Sequence, residues 1–372
     1  MLGFGLGQFG RVRGAIGAAV AAYNPATQFG GGGLGLWYDP SDYATQSQES
    51  AGTTAVTGVG QTVGLMLDKR LGLARGPDVL NGGFATDTVW NKNIIWTISG
   101  GVASDNSGSG QVLSQAHTEL LAVGDSVEYS FNIKTIAGGN VYAYIGGEVV
   151  LASIKGTVGI QRGIFKIVTL TSQQVGLISG TTPTGITVDD VSIRKLPGNH
   201  IIQATAAARA LTATSGAIQY LTFDGVDDSL ATGAITLSAD MDCFIAMRRN
   251  SSTGILAYTT AGSGVYLGAI DATAGVASAG AGTPTYAVNG VAVPGGTATT
   301  RAQLAAAIPV GSWVVVEILN ANLSTWTALG FNAYTGFILG SEKAGDIFAP
   351  AGDATTRTNN RKFLGAKVGL TL

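Results

Sequence analysis

Residues 126–133, Ser-Val-Glu-Tyr-Ser-Phe-Asn-Ile, alternate polar and apolar side chains without a break. An extended strand points successive side chains to opposite faces, so this order gives one face to bury and one to wet. Shorter runs of strand character recur at 96–98, 140–145, 163–170, 175–178 and 186–193, and again at 242–248, 254–258, 265–269 and 313–319. Between alternating apolar residues, Asn289-Gly290 is a hairpin turn signal, since both positions tolerate the left-handed backbone that such a turn needs. Many short strands at this spacing predict an all-β chain: two tandem antiparallel β-sandwiches behind an extended Gly-rich N-terminal arm.

Composition narrows the function. Gly supplies 56 of 372 residues, and charged residues are 12% where about 25% is usual. Such a chain suits β-sheets that stack on one another or on sister subunits. The net charge of −2, with no long basic run, argues against a nucleic-acid groove. A single cysteine, Cys243, excludes an intrachain disulfide, and its apolar surroundings predict an inert core thiol. Two histidines, His117 and His200, leave little for a metal cluster or general-base chemistry. No nucleophile elbow, P-loop, zincin helix or placed dinucleotide fingerprint occurs. Asp224, Asp227, Asp228, Asp240 and Asp242 sit in turn and edge contexts that favour solvation or calcium over paired-carboxylate hydrolysis. The expectation is a protein without catalytic activity.

Four segments follow from the order of the motifs: an arm over 1–36, a connector over 37–76, a sandwich over 77–197 and a second over 198–372. In the arm, Leu2, Phe4, Leu6 and Phe9 are interrupted by Gly and cannot form a core of their own. They are expected to dock on another protein, with Arg11 and Arg13 as ion-pair partners. Arg11 and Arg13 ahead of a small apolar run at 15–22 also suit a secretory leader, but the preceding residues are apolar rather than basic. That run is too short to cross a bilayer, which takes about 20 residues.

Several stretches resemble known families. Phe223-Asp224-Gly225-Val226-Asp227-Asp228-Ser229-Leu230, following a strand and opening a run of strands, resembles the start of laminin-G-like (concanavalin-like) sandwiches. This wording is similar to that in bacteriophage and prophage virion proteins. The run from Trp37-Tyr38-Asp39-Pro40-Ser41-Asp42 to Leu67-Asp68-Lys69 resembles a connector of phage tail-associated proteins. The Pro197-Gly198-Asn199-His200 linker through Arg209 and the closing Phe363-Leu364…Ala366-Lys367 segment are similar to parts of the same proteins. Asn81-Gly82…Phe84…Trp90 and Thr187-Val188-Asp189-Asp190-Val191-Ser192-Ile193 resemble the ends of a galactose-binding-like, carbohydrate-binding jelly roll. The likeness is close over 36–75 and 197–372, loose over 77–197, and absent from the arm.

The resemblance implies a virion fibre, spike or head-decoration protein. It would be anchored to other virion proteins through residues 1–36, assembled as a homotrimer, and in contact with host surface glycans. The alternative is a free secreted glycan-binding module. Trp90, Trp96, Tyr142 and Tyr144 are either a sugar-stacking platform or core aromatics. Asp189 and Asp190 are either ligands of a structural calcium, as the jelly-roll likeness suggests, or a paired turn.

Overall fold

The structure is a computed structural model that describes residues 23–30, 33–105, 110–151, 156–180, 185–259, 264–334 and 337–372. Leu2, Phe4, Leu6, Phe9, Arg11 and Arg13 lie outside the described residues. The fold is all-β, with antiparallel sheets stacked in two pairs.

The first pair takes its strands from 91–196. One five-stranded sheet runs in the order Glu148–Val149, Val141–Ile145, Gln174–Ser179, Val112–Ala116, Asn91–Lys92. The other runs Gly159–Lys166, Ser126–Thr135, Ile186–Leu196, Val102–Asp105, Trp96–Ser99. Alternation along Ser126–Thr135 buries Val127, Tyr129, Phe131 and Ile133, which meet Val141, Ala143, Ile145 and Leu177 of the facing sheet. Period-2 patterning is therefore the direct cause of this core.

The second pair is larger. An eight-stranded sheet is built around Ser341–Pro350 and Met241–Arg249, and a seven-stranded sheet around Leu230–Thr232, Gly330–Phe331 and Gly254–Tyr258. Asn289 and Gly290 both have positive φ, 52° and 83°, and turn Thr285–Val288 back onto Val291–Ala292 as the sequence predicts. The Asp224-Gly225 turn joins its strands differently. Ile218–Phe223 lies in the eight-stranded sheet and Leu230–Thr232 in the seven-stranded one, so residues 224–229 arch from sheet to sheet instead of closing a hairpin. Val226 is left exposed on the arch while Asp228 is buried beneath it.

The stretch set apart in the sequence as a connector contributes to both large sheets. Leu36–Tyr38 pairs with Ser341–Pro350 (Leu36 opposite Phe348, Tyr38 opposite Asp346), and Gln46–Ser47 and Leu65–Met66 extend the seven-stranded sheet. Strands before and after 77–197 thus share the same two sheets, and the smaller pair of sheets is carried between them. These strands are two or three residues long, too short to show a period in sequence.

Residues 23–30 and 33–36 pack on the same chain. A 3₁₀ turn, Pro25–Phe29, is capped by the Asn24 side chain and buries Phe29. Burying that ring contributes about 1.5–3 kcal/mol. Gly35 (φ 126°) is required next to it, because a Cβ there would come 2.1 Å from the Phe348 carbonyl oxygen. Among the described residues, two α-helices complete this half. The sequence reading did not anticipate α1, Arg301–Ala307, held by a reciprocal Thr300–Gln303 capping box. α2, Ala354–Lys367, starts at the Asp353 cap and lays Leu364 on the outer face of the eight-stranded sheet with Phe244, Val315 and Ile347. The helix stops at Lys367, two residues before Gly369, which has φ 73°. Among the described residues, no helix is long and apolar enough to cross a membrane.

Candidate functional site

The strand Val141–Ile145 turns Val141, Ala143 and Ile145 inward and leaves Tyr142 and Tyr144 half-buried on the outer face of its sheet. Register places Ile178 opposite Tyr142 and Val149 opposite Tyr144. A shallow cavity of about 310 Å³ opens on this face, lined by Gly110, Tyr142, Val149, Leu151, Ile178, Ser179 and Gly180. Leu151 is 67% exposed and Val149 38%, so this is apolar surface facing water, not core.

The shape of the cavity depends on Gly180. A Cβ at that position would come 2.9 Å from Cε2 of Tyr142, so only a glycine lets the ring lie where it does. Its rim is tied down by backbone: the Gly110 N–H donates to the Ser179 carbonyl at 3.0 Å, and the Ser179 hydroxyl donates to the Gln111 carbonyl at 3.3 Å. No hydrogen bond claims the Tyr142 hydroxyl among the described residues. An aromatic face, a few exposed aliphatic groups and an unclaimed hydroxyl can hold the C–H face of a sugar ring and one of its hydroxyls.

The four aromatics singled out in the sequence do not come together. Trp90 and Trp96 lie in the core between the two five-stranded sheets, exposed by 6% and 2%. Trp90 packs on Phe84 at 5.3 Å between ring centroids, and its Nε1 donates to the Asn81 carbonyl at 3.0 Å. Trp96 Nε1 donates to the Gln111 carbonyl at 2.9 Å, so its part in the cavity is to fix the rim residue from behind. Leu151, Ile178 and Gly180 carry no sequence signal of a site; only the fold brings them to Tyr142.

Asp189 and Asp190 sit at a register irregularity of Ile186–Leu196, with Asp190 at φ 53°. The Lys134 ammonium stands 3.3 Å from Asp189 and 3.7 Å from Asp190, and Asn132 Nδ2 donates to Asp190 at 3.3 Å. An ammonium thus already supplies, at these carboxylates, the positive charge that a calcium ion would bring.

The arch carries a tighter acidic group. Asp224, Asp227 and Asp228 place one carboxylate oxygen each within 4.8 Å of one another. Asp224 Oδ1 accepts from the Val226 N–H at 2.8 Å, and Asp228 accepts from the Asp224 N–H at 2.9 Å, so both carboxylates brace the turn itself. Burial, with Asp224 and Asp227 close by, pushes the Asp228 carboxyl up to about 6.

Cys243 and His200 are both held in the interior. Cys243 is fully buried, and burial pushes its thiol well above the usual range. His200 is buried too; desolvation pulls its imidazole down to about 3, and its Nδ1 accepts from the Asp68 N–H at 3.0 Å.

No protein-family model matches the chain, and no curated protein does. Among solved structures, it is similar to the N-terminal tandem CBM22-1–CBM22-2 domain of Xyn10C from Paenibacillus barcinonensis. The identity is 10% over 75% of this chain and 98% of that one, with a TM-score of 0.25. A likeness at that score carries no argument, and the functional reading stands on this chain's own residues.

Proposed function

We propose that the protein is a non-catalytic, glycan-adhering structural component of a phage or prophage particle. The observation that carries the adhesive part is the solvent-facing apolar cavity under Tyr142, whose form depends on the absence of a side chain at Gly180. A sugar stacked there would displace water from Val149, Leu151 and the tyrosine ring without any rearrangement of the sheet.

The particle role rests on the resemblance of 36–75 and 197–372 to virion proteins and on the arm. Leu2, Phe4, Leu6 and Phe9, with Arg11 and Arg13, would anchor the chain to a neighbouring virion protein. Assembly as a homotrimer would cover open sheet edges. The edge strand Gly159–Lys166, with Ile160 64% exposed, is one such edge.

Two measurements test the halves separately. A glycan array probed with the full chain should show selective retention on bacterial surface polysaccharides. Deleting residues 1–22 should leave that retention intact while abolishing incorporation into particles. Incorporation at the wild-type level by the truncated chain would instead favour a free glycan-binding module.

A further inference from the structure

We propose a second ligand site in the cleft where the two sandwiches meet, built for the hydroxyl groups of a neutral sugar. Two adjoining cavities there, of about 290 and 350 Å³, share Arg70, Gly124, Asp125 and Asn199 in their walls. One wall comes from the smaller sandwich at 123–125 and the other from the larger one at 234–236, so the cleft exists only when both are folded. It has no residue in common with the cavity under Tyr142.

Three polar side chains on these walls are anchored along one edge and open along another. Asp68, fully buried, sets two of them side by side: its Oδ2 accepts from Arg70 Nε at 2.9 Å and from the Asn199 backbone N–H at 2.8 Å. Arg70 Nη1 donates to the Gly33 carbonyl, and Asn199 Nδ2 donates to the Gly35 carbonyl at 2.9 Å. Arg70 Nη2, a donor, and Asn199 Oδ1, an acceptor, are left without a hydrogen bond among the described residues. Asp125 is held in the same way. Its Oδ2 accepts from the Ala122 N–H at 2.8 Å and from Lys195 Nζ at 2.9 Å, and its Oδ1 has no partner among the described residues.

Ser126 adds a hydroxyl in the second cavity that no described residue bonds. None of these four open atoms is enclosed, in contrast to Glu119 Oε2, which is turned onto Gly76 and shut off from water. Asn199 is only 8% exposed and Ser126 4%, so what they do expose is cleft wall.

The arrangement selects against charge. Arg70 is matched by Asp68, Arg75 by Glu128 at 2.9 Å and Lys195 by Asp125. An anion would meet the Asp125 and Asn199 oxygens, and a cation would meet the open N–H edge of Arg70. A hydroxyl accepts from one and donates to the other, so adjacent hydroxyls on a sugar ring satisfy both. Its C–H face can rest on Leu34 and Val123, which are 37% and 59% exposed. The anchored edges hold the walls in place before any ligand arrives.

The test is calorimetric titration of the full chain with glucose, galactose and mannose, and with glucuronate, glucosamine and inorganic phosphate as contrasts. At least one neutral hexose should bind about tenfold more tightly than each charged probe. Ser126→Ala removes a hydroxyl that bonds nothing in the protein, so it should weaken that hexose several-fold at an unchanged melting temperature. Arg70→Lys keeps the charge beside Asp68 without the second N–H edge, and should weaken it about tenfold. Tyr142→Ala should leave it unchanged. No binding of any of the three hexoses, a charged probe bound as tightly, unchanged hexose affinity in either the Ser126 or the Arg70 variant, or a loss of binding in Tyr142→Ala would overturn the site.

Discussion

Gln28 and Asn360 exchange a reciprocal pair of amide hydrogen bonds across 332 residues of chain, 3.1 Å in one direction and 3.0 Å in the other. Asn360 is 1% exposed and also accepts from the Tyr23 hydroxyl at 2.8 Å. Tyr23 meets Phe363 edge-on, so residues 23–29 strap the C-terminal helix to its sheet through polar and aromatic contacts together. Asn360→Ala should cost about 1–3 kcal/mol, because it leaves two partners without their acceptor. Gln28→Ala should cost less, since it removes one acceptor, that of the Asn360 Nδ2, and leaves the Tyr23 hydrogen bond in place. Urea denaturation of both variants and of the double variant checks this, with non-additive losses expected.

A pH effect follows from the arch. Asp228 holds its proton more tightly folded, at about 6, than an unfolded aspartate does, so the folded state binds the extra proton in between. Its contribution to stability is full below the unfolded value near 4 and is lost as pH rises through about 6. Asp228→Asn should therefore raise the melting temperature at pH 7 and leave it nearly unchanged at pH 3.5. Thermal melts at the two values, wild type against variant, read the difference.

Cys243 should be silent in the native protein. Its burial and raised thiol predict no alkylation by iodoacetamide at pH 8 until the larger sandwich unfolds. Mass spectrometry across a denaturant series should show labelling rise with the unfolding transition and not ahead of it.

Gly180 offers a test of cavity shape apart from cavity chemistry. Gly180→Ala pushes a methyl group towards the Tyr142 ring, and the ring is the part able to yield. Glycan retention should fall several-fold with the circular dichroism spectrum unchanged, as a comparison on immobilised polysaccharide would show.

What the sequence disclosed depends on element length. Ser126–Thr135, Met241–Arg249 and Val314–Ala321 are long enough for their apolar content to be read, and each forms a strand within a residue or two of expectation. Leu36–Tyr38 and Leu65–Met66 are not; their places are set by partners some hundreds and over a hundred residues away, Phe348 and Ile201. The same limit applies to function. Tyr142 stood out as an aromatic on an alternating strand, but whether an aromatic is core or surface depends on which face it takes, and Trp90 and Trp96 took the inner one. Gly180 and Leu151 were invisible because in this chain Gly and Leu are common everywhere. Asp224 was read as a turn residue and Asp228 as solvated; Asp228 is instead buried, because the arch that both brace between two sheets is a long-range fact.

The most direct test is the affinity of the full chain and of Tyr142→Ala for an oligosaccharide selected on the array, measured by calorimetry. Removing an aromatic stacking face should weaken binding by ten- to a hundredfold, about 1.4–2.7 kcal/mol. Equal affinity of the two proteins for that oligosaccharide, or no retention of the wild type by any glycan, would contradict the account.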